Sequence, residues 1–242
     1  MSEIDLRCGD VLDILPALRG RDFAAVITDP PYCSGGMQNA GRTRPKVNGS
    51  YNPSRSEWIV GDTMSTEVYR EWMRQVLRGA LDASCDGAQA FVFTDWRMFS
   101  VVQYAGEAAG WTTAQMVVWE KPNQGNGHFW MNAHELVWCG FKHKRLHPRN
   151  TGQRNIWRGH KPRDQLHPNA KPVELVRYLL RGVAVDGAVL DPFMGSGSVG
   201  VAARLAGRGF VGIDVDGRWI EEARVNVLNA SPEARQTSLE VA

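Results

Sequence analysis

Apolar and polar positions recur along the chain with two different periods. Short apolar runs bounded by turn residues predict buried strands at residues 4–8, 23–28, 88–94, 112–119, 135–141, 188–190 and 210–213. Apolar residues at three- and four-residue spacing predict amphipathic helices at residues 11–18, 66–81, 97–109, 173–185, 198–206 and 218–228. Strands and helices therefore alternate along most of the chain.

This alternation predicts an α/β fold with a doubly wound, mostly parallel sheet of seven strands. The runs at 112–119 and 135–141 follow one another without a helix, which suits an antiparallel pair. We expect a single domain over residues 1–230. Within it the composition predicts a mobile loop at 33–64 and an insertion at 142–166, and the polar residues 231–242 predict a flexible tail.

The second predicted strand ends in Thr28-Asp29-Pro30-Pro31-Tyr32. The prolines fix φ twice and remove two backbone donors, so they stop the strand and hold an acid and an aromatic ring at its carboxyl end. Ligands of open α/β sheets bind outside the carboxyl ends of the strands. Asp-Pro and Pro-Pro are also ordinary loop residues, so this segment alone is equally consistent with a turn.

Residues 191–197 predict a strand end, a glycine turn and a helix start. Gly195, Gly197 and Gly200 form a GxGxxG string, and glycines there let backbone amides approach a ligand at a helix N-terminus. Asp214 ends the next predicted strand and could hydrogen-bond a ribose. The string alone does not separate a nicotinamide cofactor from an adenosyl cofactor. Only one further β–α unit follows, which weighs against NAD.

Charge is distributed unevenly along the chain. The net charge is +2, but residues 142–171 hold nine Lys and Arg against one acid, Asp164, while the rest of the chain has 19 Lys and Arg against 25 acids. A basic segment of this density is typical of a protein that binds a polyanion. A solvated loop is the alternative.

Other features narrow the class of protein. The longest apolar runs are far shorter than the ~20 residues of a membrane span, and the N-terminus lacks a signal-peptide pattern, so we expect a cytoplasmic protein that does not bind membranes. Four cysteines without a CxxC pair fit a reducing compartment. Cys139, His143 and His147 recur at four-residue spacing, but this set lacks the fourth ligand of a structural zinc site, and we expect no metal.

The two motifs together resemble the S-adenosylmethionine-dependent DNA amino-methyltransferases. The order, with Asp29-Pro-Pro-Tyr first and Asp191-Pro-Phe-x-Gly-x-Gly last, is similar to that of the beta group, whose motifs are circularly permuted. His167-Pro168-x-x-Lys171-Pro172 also resembles that family's segment before the cofactor strand. The resemblance covers roughly residues 5–228. It implies a Rossmann-like methyltransferase fold, S-adenosylmethionine as cofactor and double-stranded DNA as partner.

The family implies roles for individual residues. Asp29, Pro30, Pro31 and Tyr32 would be catalytic. The implied cofactor-binding residues are Asp10, Asp29, Lys171, Asp191, Phe193, Gly195, Ser196, Gly197 and Asp214. Among these, Asp10 would lie near the adenine, Asp214 on the ribose and Lys171 near the methionine carboxylate.

The chemistry explains the catalytic residue types. The exocyclic amine of adenine or cytosine is a poor nucleophile because its lone pair is delocalised into the ring. The Asp29 carboxylate and the Pro30 carbonyl can accept hydrogen bonds from both N–H groups and so favour a tetrahedral nitrogen. The target base must leave the duplex to reach them, and Tyr32 would stack on the flipped base.

Basic residues in both irregular segments are expected to contact DNA phosphates and base edges. They are Arg42, Arg44, Lys142, Lys144, Arg145, Arg149, Arg154 and Arg158.

The sequence therefore predicts a site-specific DNA methyltransferase that acts on adenine N6. Asp29 favours adenine, because the related cytosine-N4 enzymes more often resemble Ser-Pro-Pro-Tyr; methylation of cytosine N4 is the alternative. An NAD-dependent oxidoreductase and a non-catalytic DNA-binding protein are more remote alternatives. A homodimer is possible because the beta group includes dimers. The sequence is silent on a restriction-enzyme partner and on the recognition site.

Overall fold

The structure is a computed structural model that describes residues 3–33, 64–123, 125, 129–146, 152–161 and 170–230. Its strands are β1 (Ile4–Cys8), β2 (Phe23–Thr28), β3 (Ser84–Thr94), β4 (Trp111–Glu120), β5 (His134–Lys142), β6 (Ile156–Arg158), β7 (Val189–Asp191) and β8 (Phe210–Asp214). Its helices are α1 (Val11–Ile14), which continues as a 3₁₀ turn (Leu15–Leu18), α2 (Thr66–Asp82), α3 (Phe99–Ala109), α4 (Val173–Arg181), α5 (Ser198–Leu205) and α6 (Gly217–Asn229).

The strands form one sheet in the order β1-β8-β7-β2-β3-β5-β4-β6. In the part of the chain that the structure describes, β5 alone runs against the other strands. The doubly wound, mostly parallel sheet is confirmed, with eight strands instead of the seven expected. The additional strand, β6, is only three residues long, and a run that short has no detectable period.

Helices cover both faces of the sheet. Helices α1, α2 and α3 pack on one face, in a cluster that includes Val26 of β2. Helices α4, α5 and α6 pack on the other face, in a cluster that includes Ile27. Every residue of β2 is buried, as expected for a central parallel strand covered on both sides.

Several helix bounds differ from the sequence-based expectation. The predicted helix 11–18 has only one α-helical turn before its 3₁₀ turn, because Pro16 lacks the amide needed to continue an α-helix. Helix α4 ends at Arg181, earlier than predicted. Helix α3 ends at Gly110, which has a left-handed φ of 105° as the sequence predicts.

The topology determines where a ligand can bind. Strands β2 and β7 are neighbours, paired through Ala25–Val189 and Val26–Leu190. Strand β3, which follows β2 in the chain, lies on one side of this pair, whereas β8, which follows β7, lies on the other side. This is the switch point of an open α/β sheet, and it leaves a crevice at the carboxyl ends of both strands. No helix in the described ranges is long and apolar enough to cross a membrane.

Candidate active site

A cavity of about 390 Å³ opens at the carboxyl ends of β2 and β7. This volume lies within the range of small-molecule sites. All four predicted catalytic residues and most predicted cofactor residues line it: Asp10, Asp29, Pro30, Pro31, Tyr32, Lys171, Asp191, Phe193, Gly195, Ser196 and Asp214. The fold therefore brings the two motifs into one site.

Asp29 lies directly after β2, and its two carboxylate oxygens have different surroundings. Its Oδ2 is 2.8 Å from the Lys171 Nζ. Its Oδ1 is buried and accepts no hydrogen bond from the described residues. Burial raises the pKa of Asp29, and the Lys171 ammonium opposes that rise. One oxygen is thus held by a cation while the other lacks a donor.

Lys171 is almost fully buried, with 7% of its surface exposed. Its ammonium lies between Asp29 and the Glu135 carboxylate, whose Oε2 is 3.1 Å away. It also lies over the rings of Tyr32 and Phe93, at 5.3 and 5.4 Å from their centres. Burial works to lower the pKa of Lys171, but the two carboxylates outweigh it and raise that pKa. The sequence placed Lys171 near the cofactor carboxylate, whereas here its partners are two protein carboxylates.

Glu135 is a site residue that sequence reasoning missed. Its Oε2 accepts a 3.1 Å hydrogen bond from the Tyr32 hydroxyl, and its Oε1 pairs with Lys121. Burial alone would raise the pKa of Glu135, but Lys171 and Lys121 hold it at about 2. Glu135 is near the start of β5. Because the amino end of an antiparallel strand lies beside the carboxyl ends of its neighbours, the predicted strand pairing was the signal that could have placed Glu135 here.

Tyr32 is held by the same carboxylates. Burial raises the pKa of Tyr32 well above the usual range for a tyrosine, and the charges of Asp29 and Glu135 raise it further. The hydroxyl therefore stays protonated and donates to Glu135. Pro30 and Pro31 restrict the backbone that precedes Tyr32, and Glu135 holds its hydroxyl. The side chain is therefore held at its backbone and at its hydroxyl.

Asp191 joins the two motifs. Its Oδ1 accepts a 2.7 Å hydrogen bond from the Thr28 hydroxyl and a 3.1 Å hydrogen bond from the Phe193 amide. Burial raises the pKa of Asp191 to about 7, although these donors oppose the rise. The carboxyl group is therefore a fixed part of the wall between β2 and β7.

Asp214 holds the glycine turn in place. Its Oδ2 accepts a 2.8 Å hydrogen bond from the Gly195 amide, and its Oδ1 accepts one of 2.9 Å from the Asp216 amide. Burial raises the pKa of Asp214, and these two amides oppose that rise. A carboxylate offers about four lone-pair positions, so both oxygens can still accept hydrogen bonds from a ligand.

Gly197 packs against α6 instead of lining the cavity. Its φ is +85°, and an added Cβ would lie 2.9 Å from the Ala223 Cβ. A Cβ at Gly200 would come within 2.6 Å of the Phe210 ring. The second and third glycines of the string thus permit close packing of α5, and Gly195 is the one that faces the ligand site.

Asp10 caps a helix at the rim of the cavity. Its Oδ1 accepts a 2.8 Å hydrogen bond from the Leu12 amide at the start of α1. Asp216 lines the same rim. Together with Asp214, these acids place three carboxylates at one end of the cavity, where hydroxyl groups of a ligand would find acceptors.

The cavity is also lined by an aromatic pair and by a buried hydroxyl. The Trp72 and Phe193 rings are 5.2 Å apart, and both line the cavity. Trp72 belongs to the apolar stripe of α2, so its spacing gave no sign of a site. Ser198 Oγ is buried at the first turn of α5, lines the cavity, and has no hydrogen-bond partner among the described residues.

The start of the basic segment lies far from this cavity. Because β5 is antiparallel, its last residue, Lys142, is beside the first residues of β3, at the amino edge of the sheet. The Lys142 ammonium donates to the Leu81 carbonyl at 3.0 Å and to the Ser84 carbonyl at 2.7 Å. Next to it, His143 pairs with Asp86. The structure therefore does not bring Lys142, or the adjacent Lys144 and Arg145, to the site.

Other basic residues do lie at the cavity edge. Strand β6 runs parallel to β4, so Arg158 is beside Glu120 at the carboxyl edge, with an Nε–Oε2 distance of 2.7 Å. Lys161 lines the cavity. Arg154 lies beside α4, where its carbonyl accepts a 2.6 Å hydrogen bond from Tyr178. Arg42, Arg44, Arg149, His167 and Pro168 are outside the described residues.

Two aromatic residues project from the β4–β5 connection at this edge. Phe129 is 96% exposed and Trp130 is 88% exposed. Large apolar side chains this exposed indicate an interaction surface when they lie beside a ligand site. Sequence reasoning did not single them out.

Known proteins share this fold and sequence pattern. A family model described as DNA methylase matches residues 23–224. The type II methyltransferase M2.MboI of Moraxella bovis is 27% identical over 237 residues, which cover 88% of this chain and 83% of that protein.

Solved structures are similar over nearly the whole chain. A DNA modification methylase of Thermus thermophilus, TTHA0409, in complex with S-adenosyl-L-methionine has a TM-score of 0.68 and 19% identity, covering 94% of each chain. The PvuII DNA methyltransferase, named as cytosine-N4-specific, has a TM-score of 0.72 and 16% identity, covering 97% of this chain and 90% of that one.

Proposed function

The chain belongs to the N6/N4 DNA methylase family, and we propose that it transfers a methyl group to N6 of an adenine flipped out of double-stranded DNA. It is a site-specific DNA methyltransferase with S-adenosylmethionine as cofactor. The observation that carries transfer to an exocyclic amine is the Asp29 Oδ1 atom, a buried acceptor with no donor among the described residues. A buried acceptor left unpaired costs about 1–3 kcal/mol, and an amine N–H would satisfy it. Adenine is proposed over cytosine because Asp29 opens this motif, whereas the cytosine-N4 enzymes more often resemble Ser-Pro-Pro-Tyr.

The cavity fits the cofactor. Asp10, Asp214 and Asp216 offer acceptors for ribose hydroxyls, and the Trp72–Phe193 pair offers apolar surface for a flat base. The Ser198 hydroxyl at the N-terminus of α5, which has no hydrogen-bond partner among the described residues, would donate to a carboxylate. When bound, S-adenosylmethionine supplies a methyl group made electrophilic by its sulfonium.

The protein prepares the amine for attack. Asp29 Oδ1 and the Pro30 carbonyl accept the two N–H groups, which favours a tetrahedral nitrogen and frees its lone pair. As the new N–C bond forms and the bond between the methyl carbon and the sulfonium sulfur breaks, one N–H proton would pass to Asp29 Oδ1. Burial, which raises the pKa of Asp29, makes its carboxylate a better temporary proton acceptor.

Tyr32 completes the base site. Its ring stacks on the flipped adenine, and its hydroxyl is bonded to Glu135, which limits rotation of the ring. Most of the catalysis then comes from positioning and from the fixed charges around the amine.

DNA approaches along the carboxyl edge of the sheet in this proposal. Arg158 and Lys161 lie there, and Phe129 and Trp130 project from the same edge. The cations would bind phosphates, and an exposed ring would enter the stack from which the target base has left. Lys142 has no part in this proposal, because it lies at the amino edge and its ammonium donates to two backbone carbonyls.

The test is direct identification of the modified base. Unmethylated duplex DNA is incubated with the protein and tritium-labelled S-adenosylmethionine, hydrolysed to nucleosides and separated by chromatography. We expect label in N6-methyl-2′-deoxyadenosine. Label in N4-methyl-2′-deoxycytidine would reject adenine, and cytosine N4 is the alternative because the PvuII neighbour is named as a cytosine-N4 enzyme.

A further inference from the structure

Glu135, on a different strand, contacts Tyr32 of the catalytic motif and the ammonium of Lys171. Its Oε2 lies 3.1 Å from both the Tyr32 hydroxyl and the Lys171 ammonium. Lys171 in turn lies 2.8 Å from Asp29. The Glu135 carboxylate is therefore bonded directly to Tyr32, and it is linked to Asp29 through Lys171.

The charges of this cluster balance. Asp29 and Glu135 are negative, Lys171 and Lys121 are positive, and the four side chains are at most 24% exposed. Buried charges are tolerated when they are paired and hydrogen-bonded, and removing one partner leaves an uncompensated charge. Without Glu135 the cluster would carry a net positive charge beside the cavity, and Lys171 would have Asp29 as its only carboxylate partner among the described residues.

The Lys171 ammonium contacts two carboxylates, and this leaves one oxygen of Asp29 without a contact to it. An ammonium carries three donors, and here two of them are directed at different acceptors. If Glu135 were lost, Lys171 could move towards Asp29 and contact both of its oxygens. The acceptor needed by the substrate amine would then be occupied by the enzyme itself.

We propose that Glu135 is a positioning residue that holds the Tyr32 ring and draws part of the Lys171 charge away from Asp29, so that Asp29 Oδ1 remains available to the target amine. This inference rests on the proposed amine methylation. Glu135 need not touch the base. Its effect passes through Tyr32 and Lys171.

The test compares Glu135→Gln with Glu107→Gln, a matched control. Glu107 is an exposed acid on α3, near the start of β4 and therefore at the opposite edge of the sheet. Methyl transfer is measured in a single turnover at saturating DNA and cofactor, and cofactor affinity is measured with S-adenosylhomocysteine. We expect Glu135→Gln to slow methyl transfer about 10²-fold, the size of effect seen when reacting groups are misplaced. Its S-adenosylhomocysteine affinity and the rate of Glu107→Gln should stay within about twofold of the wild-type values.

The pH profile separates positioning from a general structural role. The negative charge of Glu135 raises the pKa of Asp29, so its loss lowers that pKa. The acid limb of the single-turnover rate should therefore move to lower pH in Glu135→Gln. A wild-type rate, or a reduced rate with an unmoved acid limb, would overturn the proposal.

Tyr32→Phe tests the second contact without removing a buried charge. This variant keeps the ring and loses only the hydroxyl that bonds Glu135. We expect a smaller loss of rate than in Glu135→Gln, and less than additive effects in the double variant, because both changes break the same contact. Additive effects would overturn the link through Tyr32. If Glu135→Gln does not fold, a wild-type rate in Tyr32→Phe alone would overturn that link. A wild-type protein that labels no base would reject the proposed function itself, whereas labelling with an unaffected Glu135→Gln would reject this inference alone.

Discussion

The Thr28 hydroxyl donates a 2.7 Å hydrogen bond to Asp191 Oδ1, across 163 residues of sequence. Thr28 is the last residue of β2 and Asp191 is the last residue of β7. The bond therefore ties the strand that carries the catalytic motif to the strand that carries the cofactor motif. Both residues are buried, so the spacing between Asp29 and the glycine turn that follows Asp191 is fixed by the core.

Asp191 should make the protein less stable as pH rises. Its pKa is about 7 in the folded state, against an ordinary 3.8, so the folded state binds more protons than the unfolded state between these values. Stability gained from this group is full at low pH and is lost as pH rises towards 7, by an amount on the order of a few kcal/mol. Asp191→Asn keeps an oxygen for Thr28 and Phe193 but cannot titrate. Urea unfolding at pH 5.5 and pH 8.0 should show a smaller pH dependence in Asp191→Asn than in wild type; equal dependences would contradict the assignment.

Asp29→Asn should slow methyl transfer strongly, with little effect on ligand binding. The amide has nearly the same shape but loses the negative charge that polarises the amine, and it offers Lys171 a weaker acceptor. Loss of one charged acceptor at a reacting group costs about 10²–10³-fold in rate. Single-turnover transfer measures the rate, while fluorescence anisotropy with duplex DNA measures binding. Unchanged turnover would remove Asp29 from the mechanism.

The sequence predicted the motifs better than their surroundings. Asp29 and Asp191 could be placed together because both follow apolar runs, and parallel strands end at one edge. Lys171 lies in the predicted site, and its expected position near the methionine carboxylate stays a prediction; its contacts with Asp29 and Glu135 were not predicted, since a linear motif does not show which carboxylate a long side chain reaches. Glu135 was missed because its contacts depend on the direction of β5.

The same strand direction separates the basic segment into two parts. Residues 142–146 form one dense run of charge in the sequence, but β5 delivers them to the amino edge. Arg158 returns to the carboxyl edge because β6 adds to the sheet beside β4. Charge density therefore indicated a polyanion partner without indicating which of these residues could face it.

Two double variants test whether DNA binds at the carboxyl edge of the sheet, as proposed, or at the amino edge. The double variant Arg158→Ala/Lys161→Ala should weaken DNA binding and reduce the slope of log affinity against log salt by about 1–2, since each phosphate contact contributes about 0.9. Lys144→Ala/Arg145→Ala removes the same charge at the amino edge and should leave both quantities unchanged. Anisotropy titrations between low and physiological salt provide the comparison. The reverse result would move the DNA to the amino edge.

Trp130→Ala should weaken the complex in which the target base is flipped. Trp130 is 88% exposed beside the cavity edge, so its loss should not disturb the core, and stacking of one ring on a base contributes about 1–3 kcal/mol. Tyr104→Ala is the matched control, because Tyr104 is also an exposed aromatic residue (57%) but lies on α3. With 2-aminopurine at the target position, wild type and Tyr104→Ala should give the fluorescence rise of an unstacked base, and Trp130→Ala should need more protein to reach it. If Trp130→Ala and wild type titrate alike, the β4–β5 connection does not enter the duplex, and the flipped base must be held by the cavity alone.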